Sequence, residues 1–486
     1  MRRGTTLALK SFLHMKIHFI GIGGIGISAL AQYYLAKGHG VSGSDLNSSE
    51  TTNFLKEKGA KLLIGVHKTE NIPENTDLVI YSPAVQKENT ELKQALVLQA
   101  TGYKLQVLSY PQALGKLTKE YFTIAVSGTH GKSTVTAMVS LILLRAGFDP
   151  TVILGTKLKE FEGSNFRMGN PSFRVVPRFV PRGSAILVIE ADEWQASFLN
   201  YFPKIIILTN IEKEHLDYYK NLSHILRTFK IYLSHLPEDG FLVANKDNKN
   251  IRTLIQKFST KSDYPIIRNI VYFSKEQEET KKLKEILKIP GKHNILNALA
   301  SLKVARILKI PDKISYASLS EYQGSWRRFE IIEADIRGYQ RRLTQKITII
   351  SDYAHHPTEI MATLEAVKEK YKDKKIFLIF QPHQYQRTFY LFQDFVKVFK
   401  KTLGETRDRK FVDKLIITDI FDVAGRENEK IKRTVNSKKL VKAINNPQAI
   451  HLKKSEITAF LGKNLKGGEI VVFMGAGDIY KLAEQF

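Results

Sequence analysis

The feature that most constrains the fold is a series of short apolar segments, each followed by a stretch with helical spacing. Apolar runs this short, with no polar alternation, are typical of strands buried on both faces of a parallel sheet. The segments are Ile17–Ile20, Leu78–Tyr81, Phe122–Val126, Ile186–Ile189, Ile205–Leu208, Ile347–Ile350, Ile376–Phe380, Leu415–Thr418 and Ile470–Phe473. Amphipathic patterns such as Thr134–Ala146 and Pro357–Lys370 lie between them. This alternation predicts an α/β protein with parallel sheets.

The length of 486 residues exceeds what one hydrophobic core usually organises, so the chain is expected to form several domains. Glycine-bearing segments place the domains at residues 15–115, 116–323 and 324–486. Residues 1–14 are predicted to be a disordered tail, or to precede a true start at Met15. The segment 160–182, with scattered Pro, Gly and Arg, is predicted to be a loop or an added hairpin.

Composition excludes several classes of protein. Cysteine is absent, which rules out disulfides and Cys-based zinc sites and favours a reducing cytoplasm. No run of about 18 uncharged apolar residues occurs, so no membrane span is predicted. The net charge of +26 comes from Lys and Arg spread along the whole chain, without a recognition motif for nucleic acid. We therefore expect a dispersed surface charge and no specific nucleic-acid partner.

A phosphate-binding loop is predicted after the apolar run Phe122–Val126. Its candidate ATP ligands are Gly128, Thr129, His130, Gly131, Lys132, Ser133 and Thr134. Glycines let backbone N–H groups converge on phosphate oxygens, and the start of the following helix favours negative charge. Lys132 would reach the β- and γ-phosphates and the Ser133 hydroxyl would contact Mg²⁺. The strict P-loop pattern fails at one position, because Val126 stands where the first glycine is expected.

A second glycine-rich turn follows the first predicted strand. It contains Gly21, Gly23, Gly24 and Gly26, and Asp45 ends the next strand. The spacing matches the fingerprint in which glycines admit a pyrophosphate and an acid binds ribose hydroxyls. The pattern does not say whether the ligand is NAD, FAD or a UDP-sugar.

Acidic and imidazole side chains follow two strands of the middle region. Glu190–Glu193 ends one strand and Asn210–Asp217 follows another. The carboxyl ends of parallel strands gather at one edge of a sheet, where the phosphate loop also lies. Carboxylates there could bind the Mg²⁺ carried by ATP, although any single acid is more often a helix cap or a surface charge.

The last region contributes three further polar motifs, Trp326–Phe329, Asp352–Pro357 and Gln381–Thr388. The second and third again follow apolar strands. Each is a moderate indication by itself, but their order along one chain is specific.

With these motifs in this order, the chain resembles the Mur ligase family from Met15 to near its C-terminus. The resemblance implies a Rossmann-like N-terminal domain for the UDP-sugar, a central P-loop ATPase domain and a Rossmann-like C-terminal domain for the amino acid. It also implies ATP and Mg²⁺ as cofactors.

The resemblance also assigns roles to individual residues. Lys132, Glu190, His215, Arg328 and Asp352 match the catalytic positions, and Ser133, Glu190 and His215 match the metal positions. Asn294 and Asn297 match the adenine-side motif, and Arg328 and Asp352 also match a pair that reaches the nucleotide. Arg167 fits a substrate-contacting arginine. Tyr353, His383 and Arg387 match the pocket for the amino acid.

The reaction implied is the ATP-dependent joining of L-alanine to the lactyl carboxylate of UDP-N-acetylmuramate through an acyl phosphate, in peptidoglycan precursor synthesis. The protein would be a cytoplasmic monomer or homodimer. A recycling ligase that attaches a tripeptide to the same sugar is the nearest alternative. An NAD-dependent oxidoreductase is supported by the first glycine motif alone, and a nucleic-acid binder by charge alone.

Overall fold

The computed structural model of the chain describes residues 14–170, 185–216, 218–259, 267–337, 344–405, 410–423 and 429–486. The tail predicted at residues 1–14 lies almost entirely outside these ranges. Internal contacts divide the chain into two compact units, Met1–Leu114 and Gly115–Phe486.

The first unit contains a five-stranded sheet in the order β3-β2-β1-β4-β5, with every neighbouring pair parallel. Its strands are β1 (Lys16–Ile20), β2 (Gly40–Asp45), β3 (Lys61–Ile64), β4 (Leu78–Tyr81) and β5 (Gln106–Ser109). Its helices are α1 (Ile25–Ala36), α2 (Glu50–Glu57), α3 (Thr90–Ala100) and the start of α4 (Tyr110–Glu120). The strand order reverses beside β1, the arrangement that creates a ligand crevice in doubly wound folds.

The second unit begins with a seven-stranded sheet in the order β12-β11-β10-β6-β9-β7-β8. All its pairs are parallel except β7 with β8. The strands are β6 (Phe122–Ser127), β7 (Thr151–Leu158), β8 (Ser164–Arg167), β9 (Ile186–Ala191), β10 (Ile205–Leu208), β11 (Phe241–Asn245) and β12 (Asn269–Phe273). The helices are α5 (Lys132–Arg145), α6 (Leu222–Leu233), α7 (Lys249–Ser259), α8 (Glu279–Ile286), α9 (Lys292–Ile307) and α10 (Asp312–Glu321).

The same unit contains a six-stranded sheet in the order β13-β14-β18-β15-β16-β17, parallel except for β13 with β14. The strands are β13 (Glu330–Arg337), β14 (Thr344–Asp352), β15 (Ile376–Phe380), β16 (Lys414–Ile417), β17 (Ala449–His451) and β18 (Ile470–Met474). The helices are α11 (Pro357–Lys370), α12 (Tyr385–Tyr390), α13 (Phe392–Leu403), α14 (Glu429–Thr434), α15 (Ser437–Ile444), α16 (Lys454–Asn464) and α17 (Tyr480–Ala483).

The apolar strands form the cores of these layers. All four residues of β10 are completely buried, because its neighbours β6 and β11 cover its edges and helices cover its faces. Helix α5 is buried along most of its length between its own sheet and the helices α9 and α10. The buried apolar residues define the length of each strand. The polar loops that follow the strands are thereby brought together at one edge of the sheet.

All nine strands predicted from apolar runs are present, and the α/β fold with parallel sheets is confirmed. The segment 160–182 is partly a hairpin, since β8 pairs antiparallel with β7, while residues 171–182 lie outside the described ranges. Within the described part of the chain, no helix has the length and apolar character needed to cross a membrane.

Candidate functional site

The loop between β6 and α5 has the backbone shape of a phosphate cradle. Gly128 and Gly131 have positive φ angles of 126° and 84°. A Cβ at Gly128 would lie 2.2 Å from Thr209 Oγ1, and one at Gly131 would lie 2.6 Å from Asn297 Oδ1. Only glycine fits at either position. The first turn of α5 follows at once, and its N–H groups have no partner inside the helix.

The loop is held from the neighbouring strand β10. Thr129 N–H donates to the Asn210 carbonyl at 3.0 Å, and His130 N–H donates to Asn210 Oδ1 at 2.9 Å. Thr209 Oγ1 donates to the His130 carbonyl at 2.7 Å. The segments after β6 and β10 therefore meet at one sheet edge, as the sequence predicted.

Lys132 lies inside this loop as a cation whose side chain is 15% exposed. Its Nζ donates to the Gly128 carbonyl at 2.7 Å and to Glu193 Oε2 at 2.9 Å. Burial alone would lower the pKa of Lys132, but the carboxylates of Glu193 and Asp192 outweigh it and raise the pKa above its usual range. The ammonium therefore remains charged and faces the loop that would receive phosphate.

Ser133 and Glu190 form a contact at the end of β9, with Ser133 Oγ donating to Glu190 Oε2 at 3.0 Å. The other oxygen, Glu190 Oε1, accepts from Gly155 N–H at 2.6 Å. Burial raises the pKa of Glu190, and this is only partly offset by Gly155 N–H and the cations Arg328 and Lys132. A hydroxyl and a carboxylate in this position match the donor types that Mg²⁺ takes beside phosphates.

His215 lies beside a second group of possible metal ligands. Its Nε2 is 3.6 Å from Glu193 Oε1, and ligand atoms of Asp192, Glu193 and His215 all lie within 4.8 Å of one another. Glu193 Oε1 is buried and has no hydrogen-bond partner. The structure thus brings Ser133 and Glu190 together and places His215 against Glu193, which lies in the predicted acidic segment but is not among the metal positions that the family resemblance assigns.

A histidine of the loop connects the two sheets of the second unit. His130 Nδ1 lies 3.0 Å from Glu359 Oε1 on α11, and its Nε2 lies 3.5 Å from Glu212 Oε2. Its ring contacts that of His356, with 5.0 Å between centroids. Burial alone would lower the pKa of His130, but Glu359 and Glu212 raise it to about 10. His130 is therefore a partly buried imidazolium held between two carboxylates.

A cavity of about 160 Å³ opens beside the loop. Predicted ATP residues from both sheets line it: His130, Gly131, Thr134, Asn294, Asn297, Arg328 and Asp352. Asn297 lies against Gly131, and Asn294 Nδ2 donates to the Pro290 carbonyl at 2.7 Å. The structure therefore gathers this predicted set around one cavity, large enough to take part of a nucleotide.

Arg328 is presented to the loop by a tight turn that Asp352 holds. Asp352 accepts N–H groups from Phe329 and Ala354, each at 2.8 Å. Burial raises the pKa of Asp352. Arg328 Nη2 lies 3.5 Å from Ser133 Oγ, and its guanidinium covers the ring of Tyr353. Asp352 thus acts here as a backbone anchor that positions Arg328.

The three residues predicted to bind the amino acid lie in one chain of contacts after β14 and β15. The rings of Tyr353 and His355 are 5.4 Å apart, and those of His355 and His383 are 6.0 Å apart. Arg387 Nη1 lies 3.1 Å from His383 Nδ1. The guanidinium of Arg387 also pairs with Glu214, which lies just before His215.

In the first unit, the structure brings the predicted glycines and Asp45 together. Gly21 has a φ of 76°, and its N–H donates to the Ser44 carbonyl at 2.9 Å. Gly23 N–H donates to Asp45 Oδ2 at 2.9 Å. Gly24 and Gly26 stand at the start of α1. Asp45 therefore holds the glycine turn directly. The sequence motif predicted a contact of Asp45 with ribose hydroxyls and not this one.

Arg167, the remaining predicted substrate residue, contacts the segment just before β7. Its Nη1 donates to the Pro150 carbonyl at 3.0 Å, and its Nη2 pairs with Asp149 at 2.5 Å. These contacts hold β8 to the start of β7. A direct role in binding substrate stays a prediction.

Sequence reasoning missed the acids that neutralise the site. Glu193, Glu212, Glu214 and Glu359 pair with Lys132, His130 and Arg387, from positions 61 to 229 residues away. Three of them stood in motifs that the sequence singled out, but nothing in a linear pattern says which cation an acid will meet.

Comparison with known proteins places this architecture in a family. Three family models match the chain: "Mur ligase family, catalytic domain" over residues 16–122, "Mur ligase middle domain" over 126–305, and "Mur ligase, glutamate ligase domain" over 327–477.

Among full-length relatives, a UDP-N-acetylmuramate–L-alanine ligase from Clostridium botulinum is 37% identical over 485 residues, covering 97% of each chain. A solved structure of a UDP-N-acetylmuramate–alanine ligase from Thermotoga maritima is 27% identical with a TM-score of 0.71, and covers 97% of this chain and 98% of that one. A murein peptide ligase from Psychrobacter arcticus has the same fold at 22% identity and a TM-score of 0.67. The chain belongs to the Mur ligase family.

Proposed function

We propose that the protein joins L-alanine to the lactyl carboxylate of UDP-N-acetylmuramate, with ATP as the source of energy and an acyl phosphate as intermediate. The observation that carries the proposal is the assembly at the phosphate loop. A partly buried Lys132, the Ser133–Glu190 pair and Arg328 from the other sheet converge there. The near full-length similarity to an alanine-adding ligase supports the choice of substrates.

The residues at the end of β9 fit a magnesium ion. Ser133 and Glu190 would hold it, with Asp192, Glu193 and His215 adjacent. The buried Glu193 Oε1 supports this fit, because it has no hydrogen-bond partner and its contact with His215 Nε2 is long at 3.6 Å, so a closer cation would offset the cost of burying it. When bound, Mg²⁺ supplies charge that neutralises phosphate oxygens and helps to align them.

Phosphoryl transfer needs positioning and charge neutralisation more than covalent help from the protein. Lys132 would neutralise the β- and γ-phosphates, and the first turn of α5 would donate N–H groups to them. Arg328 would approach the transferred phosphoryl group from the side of the six-stranded sheet. The lactyl carboxylate attacks the γ-phosphorus, ADP leaves, and the amine then displaces phosphate from the acyl carbon.

The amino acid would be held by Arg387, with Tyr353 and His383 around it. A guanidinium recognises a carboxylate through two parallel hydrogen bonds, which suits the α-carboxylate of alanine. The recycling alternative has less support, since the solved murein peptide ligase is only 22% identical and shows the fold alone.

We also propose that the glycine turn at Gly21, Gly23, Gly24 and Gly26 receives the UDP-sugar and that Asp45 sets its shape. The domain bounds 15–115, 116–323 and 324–486 are proposed on the same basis, supported by family matches that begin and end near them. A cytoplasmic location, a monomeric or homodimeric state and the lack of a specific nucleic-acid partner remain predictions.

The decisive assay is phosphate release from ATP with UDP-N-acetylmuramate and a panel of amine substrates. L-Alanine should be used in preference to glycine and L-serine. Discrimination against glycine should be modest, since one methyl group in an apolar pocket is worth only about 1–3 kcal/mol. An enzyme that accepts only a preformed tripeptide would contradict the proposal, and so would one that releases no phosphate with any amine.

A further inference from the structure

Arg387 and Glu214 form a buried ion pair between the two sheets of the second unit. Arg387 lies on α12, beyond β15, and Glu214 lies in the loop after β10. The guanidinium donates from Nε at 2.9 Å and from Nη2 at 2.7 Å, and both bonds end on Glu214 Oε1. The side chains are only 8% and 7% exposed.

The rest of the Arg387 guanidinium is also occupied. Its Nη1 donates to the His383 carbonyl at 3.1 Å and lies at the same distance from His383 Nδ1. A carboxylate binds arginine best by taking two parallel hydrogen bonds from one edge. One edge is held by Glu214 and the remaining nitrogen by His383, so an incoming carboxylate has no free edge.

The cavity on one side of the pair is too small for an amino acid. The cavity lined by Glu214, Leu216, Arg387, Tyr390 and their neighbours has a volume of about 20 Å³. A volume of about 10–15 Å³ is what one water needs. On this side of Arg387, an amino acid would fit only if Glu214 or another lining side chain moved.

Glu214 is the side chain suited to move, because half of its carboxylate is unsatisfied. Glu214 Oε2 is buried without a hydrogen-bond partner, and the nearest cationic candidate, His356 Nε2, is 3.7 Å away. A buried carboxylate oxygen without a donor weakens the net gain of the pair. Arg387 is therefore bonded to only one oxygen of Glu214. The α-carboxylate of an amino acid could accept hydrogen bonds from Arg387 through both of its oxygens.

We propose that Glu214 and the α-carboxylate of the amino acid are alternative ligands of Arg387, so that Glu214 must leave the guanidinium before the amino acid binds. This inference rests on the proposed function, since it takes Arg387 as the carboxylate receptor. It makes Glu214 a residue that sets the affinity for the amino acid. It also links binding to the contact between the two sheets, because the departing pair is one of their connections.

The charge of Glu214 is of the same kind as that of the α-carboxylate that would replace it at Arg387. Burial alone would raise the pKa of Glu214, but Arg387 and the neighbouring histidines hold that pKa well below its usual range. Glu214 makes a salt bridge with Arg387, so the competition is between two carboxylates for one guanidinium.

Propionate tests the exchange, because it carries the carboxylate of alanine without the ammonium group. Its dissociation constant would be measured by saturation-transfer NMR for the wild type and for Glu214→Gln, with folding checked by thermal melting. Removing the competing charge should tighten propionate binding about tenfold, which corresponds to about 1.4 kcal/mol, the order of one charge-assisted hydrogen bond. Arg387→Ala in the Glu214→Gln background should abolish the gain.

Glu369→Gln is the matched control, since it also turns an acid into an amide at a contact between the two sheets. Glu369 pairs with Lys284 at 3.6 Å on the surface, away from Arg387. This variant should bind propionate as the wild type does. If Glu214→Gln does not fold, Glu214→Asp serves instead, because its shorter side chain withdraws the carboxylate, and a smaller gain is expected.

An affinity for propionate that stays equal or falls when Glu214 is changed would overturn the exchange. So would an equal gain in Glu369→Gln, or a gain that survives the loss of Arg387. Failure to detect propionate binding in any variant would count against it as well. The measurement needs no turnover, so its failure is distinct from a failure of the proposed ligase reaction, which the phosphate-release assay detects.

Discussion

The cation of the phosphate loop, Lys132, is paired with an acid before any nucleotide binds. Lys132 lies between the Gly128 carbonyl and Glu193. Glu193 still has one buried oxygen without a partner. The loop is therefore organised before a nucleotide arrives, and the ammonium is fixed where the phosphates would develop charge.

Lys132→Ala should abolish most of the activity while leaving UDP-sugar binding nearly intact. Removing a cation from the transferred phosphoryl group costs on the order of 10³–10⁵ in kcat. ADP release would be measured with saturating substrates, and UDP-N-acetylmuramate binding by calorimetry. Lys204→Ala is a control, because Lys204 makes only a surface pair with Asp239 in the same sheet. ADP release near the wild-type rate in Lys132→Ala would remove the phosphate-loop assignment.

The residue types of the site could be predicted from the sequence, but their pairing could not. The Gly-Lys-Ser segment after an apolar strand indicates a phosphate loop because few other functions need that order. By contrast, the partner of Arg387 is 173 residues away in Glu214. That contact depends on how two sheets meet, and no local pattern encodes it.

At the scale of the element, helix α5 has a left-handed glycine at each end. Gly131 precedes it with a φ of 84°, and Gly147 follows it with a φ of 80°. An added Cβ at Gly147 meets nothing within 4 Å, whereas one at Gly131 meets Asn297 Oδ1 at 2.6 Å. A non-glycine residue would be strained by the left-handed backbone at either position. Only at Gly131 would its Cβ also clash with Asn297, which lines the nucleotide cavity.

Gly131→Ala should therefore raise the KM for ATP, and Gly147→Ala should not. Both variants should lose about 1–2 kcal/mol of stability, the cost of an L-residue in a left-handed conformation. Only Gly131→Ala is expected to displace Asn297 and change the shape of the phosphate loop. Steady-state kinetics in ATP and thermal melts would separate the two effects. Equal KM values in the two variants would show that the loop tolerates a side chain at Gly131.

Apolar runs predicted only some of the strands, and the missed ones include the largely buried β7 and β11 as well as exposed or edge strands. β10 is wholly apolar and completely buried, so its pattern was unambiguous. β3 has one residue half-covered and three exposed, and β13 alternates acids with apolar residues at a sheet edge. Short or edge strands carry little periodicity, because few of their side chains enter a core. Their place in a sheet is decided by the neighbouring strand.

At the scale of the whole molecule, polar contacts join the seven-stranded and six-stranded sheets of the second unit. His130 lies against Glu359, Glu212 Oε2 accepts from Thr358 Oγ1 at 2.9 Å, and Arg328 reaches Ser133. Of these three contacts, the family resemblance predicted only that Arg328 reaches the nucleotide site. The other two join loop and helix residues whose proximity follows from the fold.

The His130–Glu359 contact gives this arrangement a defined dependence on pH. The pKa of His130 is raised from 6.5 to about 10 in the folded protein. A raised pKa means that the folded state binds the proton more tightly than the unfolded state. The resulting stabilisation is fully present below about pH 6.5 and is lost as the pH rises towards about 10. Glu359 contributes most to raising the pKa of His130, so a variant that lacks the Glu359 carboxylate is the appropriate control.

His130→Gln should lower the melting temperature most at pH 6, and progressively less as the pH approaches 10. Gln cannot take up the proton, so the difference from the wild type follows the proton that His130 carries between pH 6.5 and about 10. Melting temperatures of the wild type, His130→Gln, Glu359→Gln and the double variant, measured at each pH, form a cycle that isolates the pair. In the Glu359→Gln background the effect of His130→Gln should vary much less with pH, since the main charge that holds the proton is gone. A difference that stays constant from pH 6 to 10, or one that persists without Glu359, would mean that this imidazolium does not hold the two sheets together.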